Sequence, residues 1–184
     1  FENVSQGRFE TDFVDCFGDV AVPSLPALPR RATAGSAGYD FVCPADITLH
    51  PGDAITIPTG VLSIPVGLFI ECYNLETVHL HDSIRNIEKS GFLECKRLKN
   101  IRLPSKLRRL GDYAFDECCA LTELELPETL QVIGKQAFYM CSSLKKINIP
   151  DAVHTLGDGA FENCSGLKII TLSENLTFID RLAF

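Results

Sequence analysis

Nowhere in the 184 residues do eighteen apolar residues follow one another, which excludes a membrane-spanning helix from the sequence in hand. Basic residues are in deficit, 17 Lys and Arg against 24 Asp and Glu for a net charge of −7. The electrostatic footprint of a protein that wraps nucleic acid or coats an anionic membrane is therefore missing. Cysteine is plentiful at eight residues, yet no Cys-x-x-Cys or His-x-x-x-His pairing within a short unit closes a tetrahedral site, so no metal centre is expected. The chain opens Phe1-Glu2-Asn3-Val4, with neither an initiator Met nor an apolar signal core, and neither end sets a compartment. What is present, 46% apolar and 22% charged residues, is the balance of a chain that folds around a core.

Five of the cysteines, Cys72, Cys95, Cys118, Cys141 and Cys164, are each 23 residues apart. The same interval recurs in Phe69, Phe92, Phe115, Phe138, Phe161 and Phe184, and in Leu75, Leu98, Leu121, Leu144 and Leu167. Alternation across Val78-His79-Leu80 or Leu124-Glu125-Leu126 has the two-residue period of a strand with one buried face. This places strands near 75–80, 98–103, 121–126, 144–149 and 167–172. In the returning half the apolar interval is three (Leu107 and Leu110, Leu130 and Ile133), with Gly111, Gly134 and Gly157 as punctuation, a pattern that suits a turn and a short irregular or helical segment. A unit this short cannot bury its own apolar side, so units stack strand on strand into one core. The fold expected is an α/β-type repeat solenoid over 61–184, with a short parallel sheet on one face and the Phe and Cys columns behind it. Its thiols are then buried and unpaired, because stacked cysteines point the same way; Cys119, Cys16 and Cys43 are the candidates for exposed thiols.

The run Leu121-Thr-Glu-Leu-Glu-Leu-Pro127, followed by Leu130, Ile133-Gly134, Ala137-Phe138 and Cys141, resembles the unit of the BspA-like, or Treponema-type, leucine-rich repeat family. The likeness covers about 69–184 and is weaker in the first unit, where His81, Glu88 and Gly91 replace Pro, Gly and Ala. The resemblance implies a binding scaffold, often on microbial surfaces, with no active site of its own. Because Phe184 falls inside a unit, either further repeats beyond it or fraying of the last unit is expected.

Residues 1–60 have another character. Pro23, Pro26 and Pro29 punctuate an extended stretch over 22–30, with strands expected near 39–43, 46–49 and 54–57. The run Leu28-Pro29-Arg30-Arg31-Ala32-Thr33-Ala34-Gly35-Ser36-Ala37-Gly38-Tyr39-Asp40-Phe41, with Ala45-Asp46-Ile47, Pro51-Gly52 and Ile57-Pro58-Thr59-Gly60-Val61, is similar to the start of trimeric dUTP diphosphatases. That resemblance implies magnesium as cofactor and makes Asp40 the family's motif acid near the triphosphate. After residue 61, however, there is no Gly-Arg-Ser-Ser phosphate motif, no water-activating Asp segment and no Gly-rich closing arm. Such a site needs donors from several segments, so no catalytic residue is assigned and Asp40 is a remnant. Ile55 through Ile64 fits both patterns, as a fusion junction would, and 1–60 is read as a cap on the open end of the solenoid.

Two functions stand side by side. One is a non-enzymatic scaffold, monomeric and without cofactor, that binds protein or glycan. Its binding face would be the exposed strand positions Thr77 and His79, Asn100 and Arg102, Glu123 and Glu125, Lys146 and Asn148, and Ile169 and Thr171, whose alternating charge favours a mixed polar partner over a polyanion. The other is a dUTP diphosphatase with magnesium, whose missing motifs every subunit of a homotrimer would equally lack. His79 and His81 share an exposed face beside Asp82, either as a two-ligand metal site or as a solvated strand. The repeats point to the cell surface or a secreted state, the N-terminal segment to the cytoplasm.

Overall fold

The computed structural model describes residues 54–57 and 60–184. Successive turns of the chain lay down strands in pairs: β1 (Ala54–Thr56) and β2 (Ser63–Ile64), β3 (Thr77–His79) and β4 (Asn86–Ile87), β5 (Asn100–Arg102) and β6 (Arg109–Leu110). There follow β7 (Val132–Ile133), β8 (Lys146–Asn148) and β9 (Thr155–Leu156), then β10 (Ile169–Thr171) and β11 (Phe178–Ile179). Every pairing is parallel and joins residues 23 apart, such as Val78 with Ile101 and Leu110 with Ile133. The repeat period in the sequence is thus the register of the sheets, and the fold is a parallel β-solenoid.

The described residues of the junction that both patterns claim belong to a turn of this solenoid. Ile55 lies opposite Val78 and Ile64 opposite Ile87, and all four are buried. The extended residues expected near 54–57 include β1, whereas the stretches at 22–30, 39–43 and 46–49, together with Asp40, Cys16 and Cys43, lie outside the described residues.

Three expectations need correction. The α/β label is too broad, since the described residues contain no helix. Two residues per turn adopt positive φ, Ser90 and Glu94, then Tyr113 and Glu117, then Gln136 and Met140, and a left-handed residue every few positions stops a right-handed helix from propagating. Every described unit but the one at 121–133 also supplies two strands rather than one: the interval-of-three half crosses a second, six-stranded sheet in the order β11-β9-β7-β6-β4-β2. Finally, the strand expected at 121–126 is reduced to a single bridge, Glu123 to Lys146. Side-chain alternation decides which residues are buried, and Leu124 and Leu126 are; a strand also requires backbone groups within bonding range of both neighbours. That contact is absent between 99–103 and 122–126, so the first sheet divides into β1-β3-β5 and β10-β8.

The third side of each turn is built from consecutive i to i−3 bonds, for example Cys95 N–H to Phe92 O at 3.3 Å and Leu98 N–H to Cys95 O at 3.0 Å. It is laddered to the next turn as well: Phe92 N–H donates to Ala114 O at 2.9 Å and Phe115 N–H to Ala137 O at 2.8 Å. Inside, the phenylalanine column is one continuous stack, with centroid separations from 5.0 Å (Phe138 on Phe161) to 5.8 Å (Phe161 on Phe184). Beside it, each buried thiol donates to the phenylalanine carbonyl of the preceding turn: Cys95 Sγ to Phe69 O at 3.0 Å, Cys118 to Phe92 at 3.3 Å, Cys141 to Phe115 at 3.1 Å and Cys164 to Phe138 at 3.0 Å. Each of these carbonyls also accepts the N–H of the residue three positions on, as Phe92 O does from Cys95, so the thiol column adds a second donor from the next turn. All six described cysteines are free thiols. Burial pushes the thiols of Cys118 and Cys141 well up and that of Cys164 to about 11, which keeps them protonated and unreactive. Cys119 is only partly buried, with Sγ 3.6 Å from Met140 O.

Candidate functional site

The first sheet presents two outward columns whose members are spaced by the stacking. One runs Thr77, Asn100, Glu123, Lys146, Ile169 and the other His79, Arg102, Glu125, Asn148, Thr171, as the registers of β3 on β5 and of β8 on β10 require. All ten of the residues assigned to the binding face from the sequence fall on this side, nine exposed and Thr77 half-buried. Ile169 is 55% exposed, an apolar residue at the end of a polar row.

Some of this face is internally satisfied. Asn100 Nδ2 donates to Thr77 Oγ1 at 3.2 Å, and Glu76 beside it receives Lys99 Nζ at 3.3 Å and Arg97 Nε at 3.5 Å. Among the described residues Arg102, Glu123, Glu125 and Lys146 enter no ion pair, so a basic, an acidic and a second basic band meet solvent in succession. Such a face offers charged and amide groups to a polar partner. It contains no nucleophile held by a base, and no group of three or more His, Cys, Asp or Glu suited to a metal occurs among the described residues. The paired-histidine idea finds His79 and His81 both exposed, with His81 Nδ1 accepting the Ser83 N–H at 3.1 Å. That bond ties His81 to its own turn.

The repeat pattern gave no weight to the cations at the entry to the second sheet, Arg109 in β6, Arg85 and Arg108 just before β4 and β6, and Lys106 in the turn before. The signal was available in the 23-residue spacing of Arg85 and Arg108, but it was hidden by reading the returning half as irregular.

A separate electrostatic feature lies on the third side. Asp116 has one carboxylate oxygen, Oδ1, buried without a partner among the described residues. Burial first, then the neighbouring Glu117 and Glu94, push its carboxyl up to about 6, with the Glu117 backbone N–H opposing. Lys96 bridges the two glutamates at 3.1 Å each. A carboxyl whose folded value is raised keeps its proton longer in the folded chain than in the unfolded one, so its cost is absent well below pH 3.8, accumulates from there to about pH 6 and is complete above that. Asp116→Asn is accordingly expected to leave stability at about pH 3 unchanged and to raise it at about pH 7.5 by about 1 kcal/mol, the screening of a half-exposed group allowed for. Urea midpoints at the two pH values check this; an equal change at both would remove the titration as the cause.

The described residues contain no helix long and apolar enough to cross a membrane. The sequence pattern of the BspA type leucine rich repeat region matches residues 53–184 in six copies. Among solved structures, a leucine-rich repeat protein of T. pallidum is 28% identical with a TM-score of 0.56, covering 68% of this chain and 72% of that one. A leucine-rich repeat protein from Bacteroides ovatus has a TM-score of 0.61 at 24% identity, over 84% of this chain and 48% of that one, a likeness of fold alone. A short N-terminal segment is similar instead to deoxyuridine 5'-triphosphate nucleotidohydrolases. It is 46% identical over 46 residues to that of Bifidobacterium longum subsp. infantis, 24% of this chain and 29% of that protein. The corresponding enzyme of Thermobifida fusca is 41% identical over 64 residues, 31% of this chain and 35% of that protein. The chain thus spans about a third of the length of the curated relatives it matches.

Proposed function

The chain belongs to the BspA type leucine rich repeat family, and from that premise we propose that it is a non-enzymatic scaffold holding a protein or glycan against the exposed row of its first sheet. The observation that carries this reading is the succession of charges from Arg102 through Glu123 and Glu125 to Lys146, without ion pairs among the described residues and displayed at the 23-residue interval of the stack on both sides of the break in the first sheet. Mixed signs at fixed spacing select a partner of complementary pattern and disfavour a uniform polyanion. The scaffold needs no cofactor and no second subunit, and the cell surface, where the family resemblance puts such repeats, is the setting proposed for it.

The dUTP-diphosphatase-like segment, residues 1–60 in this reading, serves as the N-terminal cap and catalyses nothing. A magnesium–triphosphate site draws oxygen donors from several segments, and the chain offers the family's motif acid Asp40 without the later motifs, so the donor set does not fit the metal.

Protein and glycan arrays probed with the wild-type chain and with E123K/E125K/K146E test the scaffold: ligands of this face are expected to lose about tenfold or more in signal. Array hits wholly insensitive to the reversal would move the binding face elsewhere. Pyrophosphate release from dUTP with magnesium tests the alternative. It is expected to stay at background, and turnover abolished by Asp40→Ala would overturn the non-enzymatic reading.

A further inference from the structure

Four cations gather where the chain enters the second sheet, with Arg109 in β6, Arg85 and Arg108 just before β4 and β6, and Lys106 in the preceding turn. Lys106, Arg108 and Arg109 come from one turn and are exposed, and Arg85, half-buried, comes from the turn before. The register that sets Asn86 opposite Arg109 sets Arg85 opposite Arg108, and Arg108 N–H donates to Arg85 O at 2.7 Å. Two guanidinium-bearing residues therefore face one another across neighbouring strands, about 4.8 Å apart at the backbone, an arrangement of like charge that disfavours the pairing unless something neutralises it.

The protein itself does not do so among the described residues. Ion pairs there join Lys96 to Glu94 and Glu117, Arg97 and Lys99 to Glu76, and Lys135 and Arg181 to Asp158; none reaches Lys106, Arg108 or Arg109. Two nearby acids are already engaged. Asp82 Oδ1 accepts the Ser105 N–H at 2.8 Å and its hydroxyl at 3.1 Å, and Glu88 accepts the Ser63 hydroxyl at 3.0 Å. Glu128 is exposed at the neighbouring corner. Arg85 is oriented by donating to the carbonyls of Asp82 and Ser83 at 2.8 and 3.0 Å. On the far side of Arg109 the same column continues in Val132, which is 36% exposed and uncharged.

We propose that this patch docks a short, extended, acidic polypeptide segment of a partner protein, with carboxylates on Arg85, Arg108 and Arg109. Guanidinium groups take carboxylates in a planar two-bond fork, and alternate residues of an extended segment lie about 6.6 Å apart, within the reach of arginines on adjacent turns. The surroundings limit the length of the partner: cations occupy only two turns, in a chain whose net charge is −7. A long polyanion would run off the cations onto uncharged positions such as Ser63, Gln131 and Val132, whereas a short acidic segment matches the patch. This surface is separate from the first sheet and stands whether or not that face binds.

The probe is a rhodamine-labelled decapeptide of alternating Glu and Val, followed by fluorescence anisotropy with the full chain at about 50 mM NaCl, where charge pairing is weakly screened. R108E/R109E is expected to weaken binding by more than about tenfold, and R102E, on the first sheet, to change it by less than about twofold. A Gln–Val decapeptide is expected not to bind. R108Q/R109Q, checked by circular dichroism, serves if the double reversal unfolds. Absence of peptide binding by the wild-type chain, or equal loss in R102E, would overturn the proposal. So would tighter binding of single-stranded DNA of the same net charge through Arg108 and Arg109, which would make the patch a polyanion surface.

Discussion

Replacing Gly134 with alanine is expected to destabilise the protein by about 3 kcal/mol, a large share of the stability of a chain this size. The cause is distance rather than dihedral freedom. A Cβ at Gly134 would stand 2.6 Å from the Asp112 nitrogen and the Gly111 carbonyl carbon of the turn beneath, with Asp112 Oδ1 at 2.7 Å. Those atoms cannot swing away. Gly134 N–H is held to Leu110 O at 3.0 Å, and Lys135 N–H to Asp112 Oδ1 at 3.0 Å. Relief requires the two turns to separate, which lengthens ladder bonds on every side of the stack. Gly111 and Gly157 make the same approach, with 2.6 Å to backbone below. One turn earlier the column holds Glu88, so the demand belongs to the turns at 111, 134 and 157. Urea unfolding of Gly134→Ala beside the exposed control Gln131→Ala measures it. A Gly134→Ala midpoint equal to the control would mean that the turns slide without loss.

The second large effect is expected from Phe115→Ala, at about 3–5 kcal/mol. Phe115 is fully buried and lies stacked between Phe92 at 5.2 Å and Phe138 at 5.5 Å, its ring nearly parallel to both. Deleting the ring opens a cavity in the middle of the column, and neighbouring rings anchored in their own turns cannot close it. A solenoid is held by contacts between neighbouring turns. Loss of this ring weakens the interface that joins the two halves, at the level where the first sheet is also interrupted between 102 and 123. The unfolding curve of Phe115→Ala is therefore expected to broaden or separate into two steps, while Phe184→Ala, whose ring is 48% exposed, costs about 1 kcal/mol and keeps a single step. A sharp, unshifted transition for Phe115→Ala would contradict the column as the main support of the stack.

Much of the candidate binding face was legible because strand alternation is a local property. With Val78, Leu124 and Ile147 committed to the interior, their neighbours Thr77 and His79, Glu123 and Glu125, Lys146 and Asn148 have to point outward. The returning half was harder to read, since its strands are two residues long, too short to show any period. The basic row of Arg85, Arg108 and Arg109 emerges only when the 23-residue ladder is laid out as neighbours in space. The left-handed residues Glu94, Glu117 and Met140 were equally hidden, because no glycine marks them.

By itself the sequence determined the period, the membership of each interior column and the kinship of the two segments, since each of these is carried by residue type at a fixed interval. Tertiary structure alone decided that the return crosses a second sheet, that residues 121–126 contribute a bridge rather than a strand, and that Gly134 is pressed against the turn below. Those outcomes depend on how closely one backbone approaches the next, and that distance is set by the stack as a whole, through ring spacing and ladder bonds contributed by residues 23 positions away in either direction.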